Sequence, residues 1–170
     1  IKHAVLTSVD RDDLKDMGSI MWAETVKAVR RMNPNTTMET LIPDFQGIEK
    51  HIDRIVEVAP EVVSHNMETV KSLYRKVRPQ AKYERSLEQI KRTKDYGKRT
   101  KSGIMLGLGE TRDELLESFD DIAKNQVDIL TLGQYLSPGE KFLKVERFVP
   151  EEEFDELKAD KDGGEITSIT

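Results

Sequence analysis

Residues 101–110 read KSGIMLGLGE and run directly into TRDELLESF at 111–119. The first stretch is an apolar run of strand character carrying Gly103, Gly107 and Gly109. The second opens with Thr111 and Glu114 in the T-x-x-E spacing of a helix capping box, ahead of Leu115, Phe119, Ile122 and Ala123 on one helical face. Glycine weakens a strand because it packs no side chain and loses more backbone entropy on folding. Three of them at a strand-to-helix junction therefore point either to a tight turn or to a close approach by another backbone or a ligand.

The same unit recurs along the chain. HAVLTSV (3–9), TMETLIP (37–43), EVVSHN (61–66), SGIMLGL (102–108) and DILTLGQYL (128–136) are short, rich in Val, Ile, Leu and Thr, and bounded by turn residues, so each is expected as a strand. Between them lie amphipathic stripes. The first is Ile20, Ala23, Val26, Val29 and Met32; the second is Ile48, Ile52, Ile55, Val56 and Ala59; the third is Val70, Leu73 and Val77. A weaker fourth, Leu87 and Ile90, precedes the capped fifth. Strands alternating with helices imply parallel strands joined by right-handed crossovers, in either an open doubly wound sheet or a β/α barrel. In both architectures ligands sit at the carboxyl ends of the strands.

Composition narrows the function. The chain has 170 residues, 36% hydrophobic and 35% charged, which suits one domain with a real core. A net charge of −5 with dispersed Lys and Arg argues against a nucleic-acid surface, and no apolar run reaches membrane-spanning length. The absence of cysteine excludes disulfides and thiolate-bound metal centres supplied by these residues. Ile1 followed at once by a strand-like run reads as a piece of something longer.

Each expected strand ends in polar or ionisable residues: Asp10, Arg11, Asp12 and Asp13; Asp44 and Gln46; His65, Asn66 and Glu68; Glu110; and Gln134, Tyr135 and Lys141. Five such ends on one face favour a ligand site of mixed polarity. A side-chain metal site is not expected, because His3, His51 and His65 fall on different elements. The GLGET stretch lacks the Lys-Ser or Lys-Thr pair of a phosphate loop, and Glu110 would repel a phosphate there. An uncharged or zwitterionic ligand fits better, with backbone around Gly107 and Gly109 against a flat ring. No spacing suggests a nucleophilic hydrolase.

Six stretches in order, VLTSVDRDDL, ETLIPDFQG, APEVVSHNMETV, RSLEQIKRTKDYG, TKSGIMLGLGET and VDILTLGQYLSP, resemble the lipoyl synthases, which are radical S-adenosylmethionine (SAM) enzymes. SHNMET with SGIMLGLGE is also similar to biotin synthase, the nearest enzymatic alternative. The resemblance covers residues 1–157 and implies a partial parallel β/α barrel with about five βα repeats, leaving 158–170 as an unmatched tail. The family inserts sulfur at C6 and C8 of a protein-bound octanoyl chain in lipoate biosynthesis. One 4Fe–4S cluster cleaves SAM and a second supplies the sulfur. The family's CxxxCxxC motif and second cysteine triad are absent from this sequence, so the isolated chain is expected to be inactive and to hold no metal.

The resemblance also implies a set of SAM-binding positions. Asp10, Arg11 and Asp12 fall where the methionyl amino group binds, Asn66 and Glu68 where the ribose hydroxyls bind, and Arg85 where the SAM carboxylate pairs. Gly103, Met105, Gly107 and Glu110 fit the family's G-x-I-x-G-x-x-E pattern beside the adenine, with Lys101 and Gln134 facing the same cavity. The implied partners are an octanoylated lipoyl-domain protein or the glycine cleavage H protein, and an electron donor such as ferredoxin or flavodoxin. The implied compartment is the bacterial cytoplasm or the mitochondrial matrix. The rival readings are a cysteine-free barrel that binds a nucleoside or a protein partner without catalysis, and one part of a split enzyme. An unpaired edge beside HAVLTSV predicts marginal stability and a tendency to associate.

Overall fold

The computed structural model describes residues 1–58, 60–159 and 165–168, which form one six-stranded sheet with every strand parallel to its neighbours. The elements run β1 (His3–Thr7), α1 (Ser19–Met32), β2 (Thr37–Leu41), α2 (Glu49–Glu57), β3 (Val62–Ser64), α3 (Tyr74–Val77) and α4 (Tyr83–Asp95). They continue through β4 (Arg99–Leu106), α5 (Arg112–Lys124), β5 (Ile129–Gln134), α6 (Glu151–Ala159) and β6 (Glu165–Ser168). Spatial order is β1-β2-β3-β4-β5-β6, the order of the chain itself. A doubly wound sheet must reverse direction at a switch point. None occurs among the described strands, so the sheet is the arc of a parallel β/α barrel.

Side-chain alternation assigns its two faces. Met38, Ile104, Leu106, Leu130 and Leu132 point to the helical side and are buried. There Ile104, Leu106, Leu130 and Leu132 pack with Ile90, Leu115, Phe119, Ile122, Phe154 and Leu157. A second cluster joins Trp22, Phe45, Ile52, Ile55 and Val56 to Ile42 and Val63. The opposite alternation, with Glu39, Lys101, Gly103 and Thr131, lines an open cavity.

The five expected strands are all present, somewhat shorter at their carboxyl ends than the apolar runs; Ala59 of the second stripe lies outside the described residues. The capping box of α5 is made as the spacing predicts. Thr111 Oγ1 accepts from Glu114 N at 3.3 Å, and Glu114 Oε2 accepts from Thr111 N at 2.8 Å. The third stripe is not a full helix. It becomes a 3-10 turn at Lys71–Leu73 and the single turn of α3, ended at Arg78 because Pro79 drives the residue before it out of the helical region. Beyond residue 157, α6 runs to Ala159 and β6 pairs with β5, a strand the sequence reading did not anticipate. Residues 160–164 and 169–170 of that tail lie outside the described residues.

Candidate functional site

The loop after β3 carries Asn66 and Glu68 and is stitched to β4. Glu68 N donates to Gly103 O at 2.9 Å, and Met105 N donates to Glu68 O at 2.8 Å. Glu68 holds φ +66°, a left-handed conformation that costs a non-glycine residue about 1 kcal/mol or more and persists only where its surroundings over-determine it. Asn66 lies across Gly103, where an added Cβ would stand 3.0 Å from Asn66 Oδ1. The glycine therefore makes room for the amide. Both side chains line a cavity of about 490 Å3 on the sheet's inner face.

Lys101 lines the same cavity, with its ammonium turned toward Glu39. Nζ lies 3.1 Å from Glu39 Oε1 and 3.2 Å from Oε2, and Ser64 Oγ donates to Oε1 at 2.7 Å. Glu39 is only 7% exposed, so the pair is desolvated and mutually compensated.

A second cavity of about 520 Å3 gathers Asp10, Asp12, Asp44, Gln46, Arg78 and Arg85. Arg85 Nη1 donates to Asp44 Oδ2 at 3.0 Å, and Asp44 Oδ1 accepts from Gln46 N at 2.9 Å. Burial pushes the Asp10 carboxyl up, the Asp12 and Asp44 carboxylates add to the rise, and Arg78 opposes it. Arg11 lies outside this cavity. Its guanidinium is bidentate on Asp13 at 2.8 and 2.7 Å and borders an apolar groove with Leu14, Met21 and Trp22.

The glycine turn is closed on itself. Glu110 accepts from Gly107 N at 2.7 Å and Leu108 N at 2.9 Å, while Gly107 O accepts from Glu146 N at 2.9 Å. Gly107 has φ +97°, and a Cβ there would meet Arg147 O at 2.4 Å and Gln134 Nε2 at 2.5 Å. Gln134 Nε2 donates to the carbonyls of Leu106, Tyr135 and Arg147, and Oε1 accepts from Val149 N at 2.8 Å. Gly107, Glu110 and Gln134 thus clasp the 146–149 segment. The close approach that Gly107 permits is by another backbone.

His65, the one histidine at a strand's carboxyl end, is a core residue. Nδ1 lies 3.0 Å from Ile42 O and Nε2 lies 2.9 Å from Ser86 Oγ, and burial lowers its pKa to about 4. A neutral ring donating to the carbonyl and accepting from the hydroxyl satisfies both nitrogens. Among the described residues no cluster of three or more His, Cys, Asp or Glu could hold a metal, and no helix is long and apolar enough to cross a membrane.

The structure therefore brings together Asp10, Asp12 and Arg85 in one cavity and Asn66, Glu68, Lys101 and Gln134 in another. Sequence reasoning missed Arg78 and Glu39. Glu39 was findable, since it alternates with Met38 and Thr40 and so faces inward; Arg78 carried no local signal.

A family model described as Radical SAM superfamily matches residues 1–122. The lipoyl synthase of Christiangramia forsetii is 67% identical over 155 residues, covering 91% of this chain and 53% of that protein. The mitochondrial lipoyl synthase of Nematostella vectensis is 65% identical, covering 98% of this chain and 57% of that one. The chain spans about half the length of the curated relatives it matches. Among solved structures, methylornithine synthase superposes with a TM-score of 0.72 at 16% identity, covering 92% of this chain and 47% of its own. A domain of pyruvate-formate lyase-activating enzyme from Bacteroides vulgatus gives 0.67 at 12% identity, with 97% and 98% coverage. These two likenesses concern the fold.

Proposed function

The chain belongs to the radical SAM superfamily, and from that membership and its likeness to curated lipoyl synthases we propose that it forms the SAM-positioning portion of a lipoyl synthase. The reaction of the whole enzyme is sulfur insertion at C6 and C8 of an octanoyl chain carried on a lipoyl-domain protein or the glycine cleavage H protein. Ferredoxin or flavodoxin serves as electron donor, in the bacterial cytoplasm or the mitochondrial matrix.

The observation that carries this reading is the pair Asn66 and Glu68, held on one wall of the inner cavity with Gly103 left bare to admit the amide. An amide and a carboxylate two positions apart suit a vicinal diol, because the carboxylate accepts from hydroxyls and the amide both donates and accepts. In the charged cavity, tied to this one through the Arg78–Asn66 hydrogen bond, Asp10 and Asp12 suit an ammonium, and Arg85, steadied by Asp44, suits a carboxylate. A nucleoside joined to a zwitterionic amino acid matches that division. SAM bound there supplies the chemistry common to the superfamily. Lys101 is neutralised by Glu39, and Leu41 and Met105 offer apolar wall to an acyl chain. Arg11, Gly107, Glu110 and Gln134 act by shaping the loops. Iron–sulfur clusters need thiolates, and these 170 residues contain none, so no cluster step is assigned to them.

Calorimetric titration of the 170-residue protein with SAM and with adenosine tests the reading. Saturable binding of both is expected, weakened about tenfold or more by Glu68→Ala, the loss of a hydrogen-bonding charged group. A wild-type chain that takes up neither compound overturns it.

A further inference from the structure

Arg78 lines the charged cavity, bonds the backbone of Asn66, whose side chain lines the other, and belongs to neither expected set of ligand contacts. It ends α3, lies 5.6 Å from the Tyr74 ring centroid and donates to Tyr74 Oη at 3.3 Å. The same Nη1 donates to Asn66 O at 2.9 Å, with Met67 O at 3.5 Å. The 66–68 turn is therefore gripped from two sides. On the β4 side, Glu68 N and O bond Gly103 and Met105. On the α3 side, one guanidinium takes the Asn66 and Met67 carbonyls. Arg78 also lines the cavity of Asp10, Asp12 and Arg85.

We infer that Arg78 is a positioning residue. Through the Asn66 and Met67 carbonyls it holds Asn66 and Glu68 in their ligand-facing geometry and fixes the diol-binding wall relative to the charged cavity. The inference rests on the proposed nucleoside site, but its structural half can be tested without a ligand. A planar, permanently charged fork anchored on an aromatic ring suits this task better than a lysine, whose ammonium is a mobile point charge.

Two measurements on the full chain decide it. Amide hydrogen exchange should show the Glu68 and Met105 N–H groups losing about tenfold in protection in Arg78→Met, with α5 amides unchanged, because only the local opening equilibrium shifts. Adenosine affinity should fall about tenfold in Arg78→Met, recover in part in Arg78→Lys, and show a smaller further loss when Arg78→Met is added to Glu68→Ala, because the share that acts through Glu68 is already gone. Unchanged Glu68 and Met105 exchange overturns the inference, and so does an undiminished Arg78 effect in the Glu68→Ala background, which marks direct ligand contact. If the wild type binds no nucleoside, the site reading falls, and the exchange rates alone decide whether Arg78 holds the turn.

Discussion

The loops after β1 and β3 carry similar polar sequences, SVDRDD and SHNMET, and are held in very different ways. The β3 loop lies mid-sheet: its backbone is bonded to β4, its carbonyls to Arg78, and His65 is buried between Ile42 and Ser86. The β1 loop lies beside a strand that, among the described residues, pairs only with β2, with Val5 54% and Val9 75% exposed. Its charged residues are held chiefly by the local Arg11–Asp13 pair. A strand flanked on both sides can orient a side chain in its following loop; an edge strand offers one neighbour and leaves that loop soft.

Substitutions should break this contrast in order of size. Phe119→Ala, in the fully buried cluster behind β4 and β5, should cost about 3–5 kcal/mol, while Val9→Ala at the edge should stay within about 0.5 kcal/mol, both read by urea denaturation. Gly107→Ala combines a positive φ with clashes against the Arg147 carbonyl and the Gln134 side-chain amide and should cost about 3 kcal/mol. Gly97→Ala, at φ +71° with nothing within 4 Å, should cost only about 1 kcal/mol, so similar losses at both would refute the clasp around residue 107.

His65 gives the third test. Its folded pKa of about 4 lies below the ordinary 6.5, so the unfolded chain binds a proton that the native ring refuses. Its stability contribution is complete above pH 6.5 and is lost as pH falls from there toward 4. By pH 5 the loss should reach about 2 kcal/mol, and His65→Gln should flatten that slope in denaturation midpoints against pH. The smallest effect belongs to the edge loop: Arg11→Ala should leave the midpoint unchanged, because an exposed pair with a sequence neighbour contributes little. A clear drop would show that the β1 loop is better held than its exposure implies.

Most of the fold was legible because apolar alternation and helical stripes are local signals, and the T-x-x-E box placed the start of α5 to the residue. The third stripe stops at Pro79 as its spacing suggests, but it forms a 3-10 turn and one helical turn rather than a full helix, a distinction that the spacing of Val70, Leu73 and Val77 does not encode. The site was legible as a set of strand ends but not as a geometry. Gly107, Glu110 and Gln134 looked equivalent to Asn66 and Glu68 until their donors and acceptors proved to be bonded to the chain's own backbone.

From its sequence alone this protein could be read as a run of parallel βα units with polar carboxyl ends, since periodicity and turn chemistry depend on neighbours a few residues apart. Whether the sheet reverses, which face stays open, that Arg78 reaches back twelve residues to a carbonyl, and that Lys101 pairs with Glu39 sixty-two residues away were decided by tertiary structure. Those are long-range contacts, and side chains of the same charge and size are interchangeable in a sequence until packing sets which partner each one meets.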